Sequence, residues 1–456
     1  MNKHTVAGRL VAFGFSLIAC SVMAALPQSE ADRLGSELTP LGAQKEGNAS
    51  GTIPAWTGGL AVDAAPIERG FMADPFAGDK PKFVITAANY AQYRENLSEG
   101  QIAMLTAYPD TYRIPVYETR RTAVVPDSIN EAAKRSVTNV QAVNDGNGLS
   151  GFESSRYYAF PIPKSGVEVI WNHMTRYKGA GLKRDMVQVS PYPNGSYSLV
   201  RFNDVFSYPE TVAGATDEHM RTVLFFYKQR VLSPARLAGG VLLAHETIDQ
   251  ALDPRRVWLY NAGQRRVRRA PQVSYDGPGQ AADGQRLADN LDLYNGSPDR
   301  YDWKLVGKKE LYIPYNSYRL ASPELKYSDI FKAGHINQDH TRYELHRVWE
   351  VVATLKPGQR HVHAERRFYV DEDTWQIAIQ DMFDSRGALW RVGEGHTVQF
   401  FKQQVPMYAG ETLYDLQNRR YLAMGFSNEE NHGPVFGEKS ALNDYSPGAL
   451  RLEGVR

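Results

Sequence analysis

Residues 342–355, RYELHRVWEVVATL, are followed by RHVHAERRFYV (360–370), TWQIAIQDMF (374–383) and ALWRVGEGHTVQFF (388–401). All four runs are rich in β-branched and aromatic residues at period two, the spacing that sends successive side chains to opposite faces of a strand. In the first run Tyr343, Leu345, Trp349 and Val351 share one face, and Arg342, Glu344 and Glu350 take the other. One face is therefore expected to be apolar and one wet.

Working outward, the same period recurs at Asp185 to Tyr192, Ser196 to Phe202, Thr222 to Val231, Leu237 to Ile248, Arg256 to Asn261 and Arg265 to Ala270. Pro193-Asn194-Gly195 and Ala262-Gly263-Gln264 join two of these pairs as hairpins, because Asn-Gly supplies the positive φ angles of a tight turn. Val223, Phe225 and Tyr227 again share a face opposite Thr222 and Lys228. About ten strands, mostly adjacent in sequence, predict an antiparallel meander. A long sheet with one apolar face must curl around something. The candidates are the helix expected over Gly166 to Tyr177, with Val167, Ile170, Trp171 and Met174 on one side, the N-terminal segment, or a ligand. The fold expected is α+β, a large curved antiparallel sheet (an incomplete β-barrel) with helices packed over its concave face.

The N-terminus reads as an export signal: Lys3 and Arg9, an apolar run from Leu10 to Ala19, then small residues at Ala24 and Ala25. Val22 and Ala24 suit general cleavage after residue 24, while Leu17-Ile18-Ala19-Cys20 also reads as a lipobox, in which acylation of Cys20 would tether the chain to a membrane. Cys20 is the one cysteine, so general cleavage leaves a chain held by its core and not by disulfides. Removing Lys3 and Arg9 from the 52 basic side chains sets 50 against 51 acidic ones, a balance that gives no electrostatic footprint for nucleic acid. Residues 25–150 alternate short helix signals, at Ser29, at Thr86 before Ala87 to Leu97, and at Asp127 before Ile129 to Val140, with Gly- and Pro-rich connections such as Thr39 to Gly59. They are expected to wrap the half-barrel of residues 151–427. The aromatic stretch 290–328 is expected to interrupt the sheet as an insertion, and 428–456 to lie irregularly on the surface.

Chemical motifs are sparse. His361, His363 and Glu365 share a strand face, but the alternate positions Val362, Ala364, Phe368 and Val370 are apolar, so the histidine face is expected to be solvated and no metal is assigned. His335, His340 and His346 are scattered. Asp371-Glu372-Asp373 reads as an acidic hairpin turn without a twelve-residue calcium loop. Arg265, Arg266, Arg268 and Arg269 could meet phosphate or carboxylate groups or an acidic partner, or could simply guard a solvated sheet edge. No Gly-x-Ser-x-Gly, Walker or dinucleotide glycine pattern is present, so no catalytic residue or cofactor is assigned. Parity leaves Trp171, Phe225, Tyr227, Trp258, Tyr260, Leu345, Trp349, Phe368 and Trp390 as candidate linings of a ligand cavity.

Several longer motifs carry a family resemblance. Leu38-Thr39-Pro40-Leu41-Gly42-Ala43 with Gly51-Thr52-Ile53-Pro54-Ala55-Trp56-Thr57-Gly58-Gly59, Ile170-Trp171-Asn172-His173, Val257-Trp258-Leu259-Tyr260 and Asp371-Glu372-Asp373-Thr374-Trp375 resemble the domain of unknown function 1329 family. So do Asp299-Arg300-Tyr301-Asp302-Trp303 and Tyr343-Glu344-Leu345-His346-Arg347-Val348-Trp349. That family is similar to the LolA and LolB periplasmic lipoprotein carriers, which implies an incomplete barrel closed by helices over a hydrophobic cavity. The resemblance further implies a periplasmic location, cleavage near Ala24, and a lipid or other apolar small molecule as ligand. It also implies partnership with an export pump of the resistance-nodulation-division type and an outer-membrane protein. It supplies no catalytic residues. Three functions follow: a carrier or receptor for an apolar ligand, a module that assembles or gates an envelope transporter, and a lipid or glycan hydrolase.

Overall fold

The computed structural model describes residues 25–270 and 275–454; the expected signal segment and Cys20 lie outside the described residues. Sixteen strands build one sheet. In chain order they are β1 (Phe83–Ile85), β2 (Ile114–Val116), β3 (Leu182–Val189), β4 (Val200–Ser207), β5 (Val223–Ser233), β6 (Val241–Thr247), β7 (Arg256–Asn261) and β8 (Arg266–Arg269), then β9 (Tyr301–Pro314), β10 (Tyr343–Leu355), β11 (Glu365–Asp371), β12 (Ile377–Phe383), β13 (Leu389–Phe400), β14 (Val405–Asp415), β15 (Arg420–Phe426) and β16 (Val435–Phe436). Their spatial order is β8-β7-β6-β5-β4-β3-β15-β14-β13-β12-β11-β10-β2-β1, with β9 on β10 and β16 on β3. Two meanders, β3 to β8 and β10 to β15, thus meet where β3 pairs with β15. The sheet is antiparallel apart from one pairing, Tyr343 with Val116, and its two ends do not join.

Of the helices, α1 (Glu99–Ala107) packs on the sheet, α2 (Asp127–Asn139) lies against residues 28–31 and 152–154, α3 (Gly166–Thr175) packs on the sheet, and so does a short α4 (Ala449–Gly454) near the end of the chain. α1 and α3 both open with a reciprocal cap, Ser98 with Gln101 and Ser165 with Glu168, which satisfies two backbone donors that a helix start leaves open. α3 matches the expected segment but is not amphipathic in situ, since all ten residues are buried. Its polar side is met by protein: Asn172 exchanges two hydrogen bonds with the Phe160 backbone, at 2.7 and 2.6 Å, and His173 Nε2 lies 2.8 Å from the Asp292 carbonyl.

Alternation along the strands sorts the core into two sides. On β15 Leu422 and Met424 join the core beneath α3, while Tyr421 and Ala423 join the cluster that includes Met104 and Leu105 of α1. On β6 Ala244 faces the α3 side, and Val241 and Leu243 pack with Tyr445 and Leu450 of the C-terminal segment.

At the positions expected to be wet on β5 and β10 the second face is largely covered. Glu344 is fully buried, accepting from the Arg120 amide at 2.8 Å and from Arg342 Nε at 2.6 Å, and Arg342 also reaches Asp79 at 2.9 Å. Lys228 is buried against Glu453. Polarity at these positions marks partners supplied by distant segments, which alternation within one strand cannot distinguish from water.

Two organisational expectations change. The stretch 290–328 contains β9, a 14-residue strand paired along β10, so it extends the sheet instead of interrupting it. The tail adds β16 to β3, pairs Ser440–Ala441 with Val212–Ala213, and buries Tyr445 and Leu450, so much of it is ordered structure. No helix among the described residues is long and apolar enough to cross a membrane.

Candidate ligand-binding site

The nine expected lining residues do not converge on one cavity. Trp171, Phe225, Tyr227 and Phe368 are buried in the core beneath α3. Leu345 packs with the α1 cluster, and Trp258 and Tyr260 with the C-terminal cluster. Trp349 is half-buried in a stack with Trp375 (ring centroids 6.2 Å apart), and Trp390 lies against His363 with its Nε1 donating to Asp415 at 3.0 Å. Of the nine, only Tyr227 and Tyr260 reach the cavities described below. The four arginines of the β7–β8 hairpin, Arg265, Arg266, Arg268 and Arg269, are exposed, three of them on edge strand β8.

Two polar motifs are buried instead of solvated. His361 and His363 precede β11 in a connection that tucks under residues 276–289, and it is Val362 that is exposed, at 39%. His361 Nε2 lies 3.1 Å from Asp289 Oδ2, which also accepts from Arg366 Nη2 at 2.7 Å. Burial, with Arg366 close by, holds the His363 imidazole well below its ordinary pKa.

Asp371, Glu372 and Asp373 do form the turn between β11 and β12, but each is at most 4% exposed. Arg121 makes two bonds to Asp373, at 2.8 and 2.6 Å, while Lys308 and Arg347 hold Glu372 at 2.5 and 3.1 Å. His346, Asp371 and Asp373 bring possible metal-ligand atoms within 4.8 Å of one another. The Arg121 guanidinium already engages both Asp373 oxygens, and Thr374 donates twice to Asp371 Oδ2. This constellation pins the N-terminal segment to the sheet.

A larger open space lies by β6 and β7, toward the other end of the sheet. Register pairs Leu242 with Leu259 and Ala244 with Val257, which places these four side chains on the α3-side face of β6 and β7 and sends Trp258 and Tyr260 to the opposite face. Over that face runs a turn-rich segment in which the Gly279 amide donates to the Arg286 carbonyl and the Gln285 amide to that of Ala282, both at 2.8 Å. Gln188 Nε2 ties this segment to β3 through the Gln280 and Ala281 carbonyls, at 3.0 and 2.7 Å. Between the segment and the sheet is a cavity of about 570 Å³, walled by Val231, Leu237, Leu242, Val257, Leu259 and Tyr260. That volume falls in the range of sites that enclose small molecules. Leu259, on its wall, is 37% exposed.

A smaller cavity of about 60 Å³ adjoins it, sharing Leu242, Val257, Pro278 and Gln280 and walled further by Tyr227, Glu246, Arg255 and Arg286. Its electrostatics are uneven. Arg255 pairs with Glu246 at 3.2 Å, Arg184 lies 3.5 Å from Asp204, and Arg176 and Lys178 share Asp292. Arg286 is 6% exposed, and among the described residues no hydrogen bond or ion pair holds its guanidinium. Burial lowers its pKa against the weaker pull of Tyr227, Glu411 and Asp204. Glu411 is itself pushed up to about 7, by burial and then by Asp292, which leaves it a weak counter-charge near neutrality. A side chain at Gly279 would bring its Cβ to 3.0 Å from Arg286 Cζ, so the glycine leaves room for the guanidinium. Nothing in the sequence singles out Arg286: it is one arginine in a Gly-rich connection, and its isolation arises only from the fold.

The uncharacterized protein PA3922 of Pseudomonas aeruginosa is 59% identical over 442 residues, 97% of either chain. Among solved structures, similarity extends to a domain described as an outer membrane lipoprotein-sorting protein from Vibrio parahaemolyticus (TM-score 0.43, 13% identity, 63% of this chain and 98% of that one). A DUF1329 family protein from Desulfovibrio piger gives 0.40 at 13% identity, covering 60% and 92%. The LolA superfamily protein NE2245 from Nitrosomonas europaea gives 0.37 at 8%, covering 62% and 98%. Residues 84–451 match the family model described as "Protein of unknown function (DUF1329)", and the chain belongs to that family.

Proposed function

We propose that this chain is a binding protein that holds an apolar molecule, without transforming it, in the groove between β6, β7 and residues 278–281. The observation that carries this reading is the apolar 570 Å³ cavity over Leu242, Val257 and Leu259. A hydrocarbon of about ten methylenes at ~0.8 kcal/mol each gives about 8 kcal/mol before ordering costs, enough for reversible holding. The export-signal pattern of the first residues supports a place of action in the periplasm, where a carrier between the two membranes would need such shielding. The groove, and not the aromatic core beneath α3, is the proposed seat of the ligand.

Native mass spectrometry of the protein from its own host, followed by organic extraction, tests the reading. A stoichiometric apolar adduct that is absent from Leu242→Glu supports it, since an unpaired carboxylate in the groove wall opposes hydrocarbon burial. An adduct-free mass with no uptake of offered lipid rules it out. A second reading, a module that docks on an envelope transporter, is favoured by the exposed arginines of β8. Charge reversal at Arg266 and Arg268 should then release an acidic partner, and a complex that survives the reversal removes that surface from consideration.

A further inference from the structure

Resting on the groove reading above, the geometry points to the chemical class of its occupant: we propose an amphiphile whose hydrocarbon lies along Leu242, Val257 and Leu259 and whose anionic head, carboxylate or phosphate, is taken by Arg286. A buried guanidinium without a counter-ion is costly in a low-dielectric interior, and proteins rarely keep one there unpaired. The neighbouring cations already draw on the nearby carboxylates, Arg255 on Glu246, Arg184 on Asp204, and Arg176 with Lys178 both on Asp292, so four cations meet three carboxylates and none of these is left over for Arg286. The surplus charge lies in the wall of the small cavity, and that cavity shares four wall residues with the apolar groove. At about 60 Å³ the small cavity has room for a compact head but not for a chain, whereas the 570 Å³ groove has room for a chain.

Arg286 donates from a planar fork that suits two oxygens of one anion. Gln280 stands in the same wall, and its amide nitrogen can donate to an anionic head beside the guanidinium. The hydrocarbon part meets mostly Val, Leu, Ala and Pro surface in the outer groove, apart from exposed Arg236 and the polar rim at Asn261 and Gln280. A neutral lipid fills the groove but leaves the buried charge unmatched; an anionic one matches both.

The test uses the delipidated full mature chain and three probes of equal length, dodecanol, dodecanoate and dodecyl phosphate, titrated by calorimetry. Wild type should bind at least one anionic probe about ten- to a hundredfold more tightly than dodecanol, the range a charge-assisted contact supplies. Whichever anion is preferred names the head. Arg286→Met should lose that preference while keeping dodecanol affinity, and the unliganded variant should melt higher than wild type because an unmatched buried charge has been removed. Equal affinity for all three probes in wild type and Arg286→Met would overturn the anchor and leave the groove reading standing. Failure of every probe to bind wild type would overturn the groove reading and the anchor with it. A lower melting temperature for Arg286→Met with unchanged probe selectivity would make Arg286 a structural partner of Glu411 and Asp204, and would also overturn the anchor.

Discussion

Glu394 on β13 should make the protein less stable as pH rises, and replacing it with Gln should remove that loss. The side chain is fully buried; its Oε1 accepts from Tyr343 and Tyr112 at 3.0 and 3.2 Å, and Oε2 has no partner. Burial raises its pKa from 4.5 to about 7, against the opposing effect of the tyrosine hydroxyls. Between those values the folded protein keeps a proton that the unfolded chain has released, so the slope of stability against pH is negative there. Stability is therefore greatest below about pH 4.5 with respect to this group and falls until the folded form also ionises near pH 7. At about 1.4 kcal/mol per pH unit the loss is on the order of 3 kcal/mol. Gln cannot ionise, and its amide can donate to either phenol oxygen. Urea unfolding at pH 5 and pH 8 gives the assay: the wild-type decline between the two should exceed that of Glu394→Gln by about 2 kcal/mol or more. Identical declines in the two proteins would refute the assignment of a buried, neutral carboxyl at this position.

Arg121→Met should leave Asp373 charged and buried, lowering stability by about 3–5 kcal/mol and opening residues 44–54 to limited proteolysis, because Arg121 also donates to the Gln44, Lys45 and Pro54 carbonyls. Trp171→Ala should cost about 3–5 kcal/mol in denaturant unfolding through the cavity it leaves in the α3 core. Gly279→Ala should displace the Arg286 guanidinium by a few tenths of an ångström, and weaken binding of an anionic probe more than that of dodecanol in the same calorimetric titration.

Much of the sheet was legible because its strands carry their own period. β5, β6, β7, β8 and β10 to β13 fall on the runs that the alternation marks, and the β7–β8 hairpin has its turn at Ala262-Gly263-Gln264. The Asn194-Gly195 turn also forms, with the Tyr192 amide on the Ser196 carbonyl at 2.9 Å, although β3 and β4 pair mainly beyond it, from Leu182 with Phe206 to Gln188 with Val200. α1 was missed although Ser98 and Gln101 stand at capping-box spacing, since its short run with Gly100 inside gives no apolar stripe. β9 was missed because its Tyr and Trp residues lie among prolines and glycines that read as a loop. What alternation could not supply was which polar face would be covered. Glu344, His361 and Asp373 look solvated along their own strands or turns and become interior only when Arg120, Asp289 and Arg121 arrive from 72 to 252 residues away. The same limit hid the groove, since its roof is a segment without a periodic signature.

The N-terminal wrap has a consequence for the order of events in folding. Trp375 donates its indole hydrogen to the Leu41 carbonyl, Gln44 donates its amide to Glu372, and Arg121 closes on Asp373, contacts spanning 334, 328 and 252 residues of chain. A polypeptide delivered N-terminus first, whether by a ribosome or through a translocation pore, presents these early residues long before their counterparts exist on the same side. These three contacts must wait for residues 372–375, and contacts so distant in sequence form slowly. The finished molecule is thus sealed by its oldest segment, and a chain that delays its own closure in this way stays threadable until almost all of it has emerged.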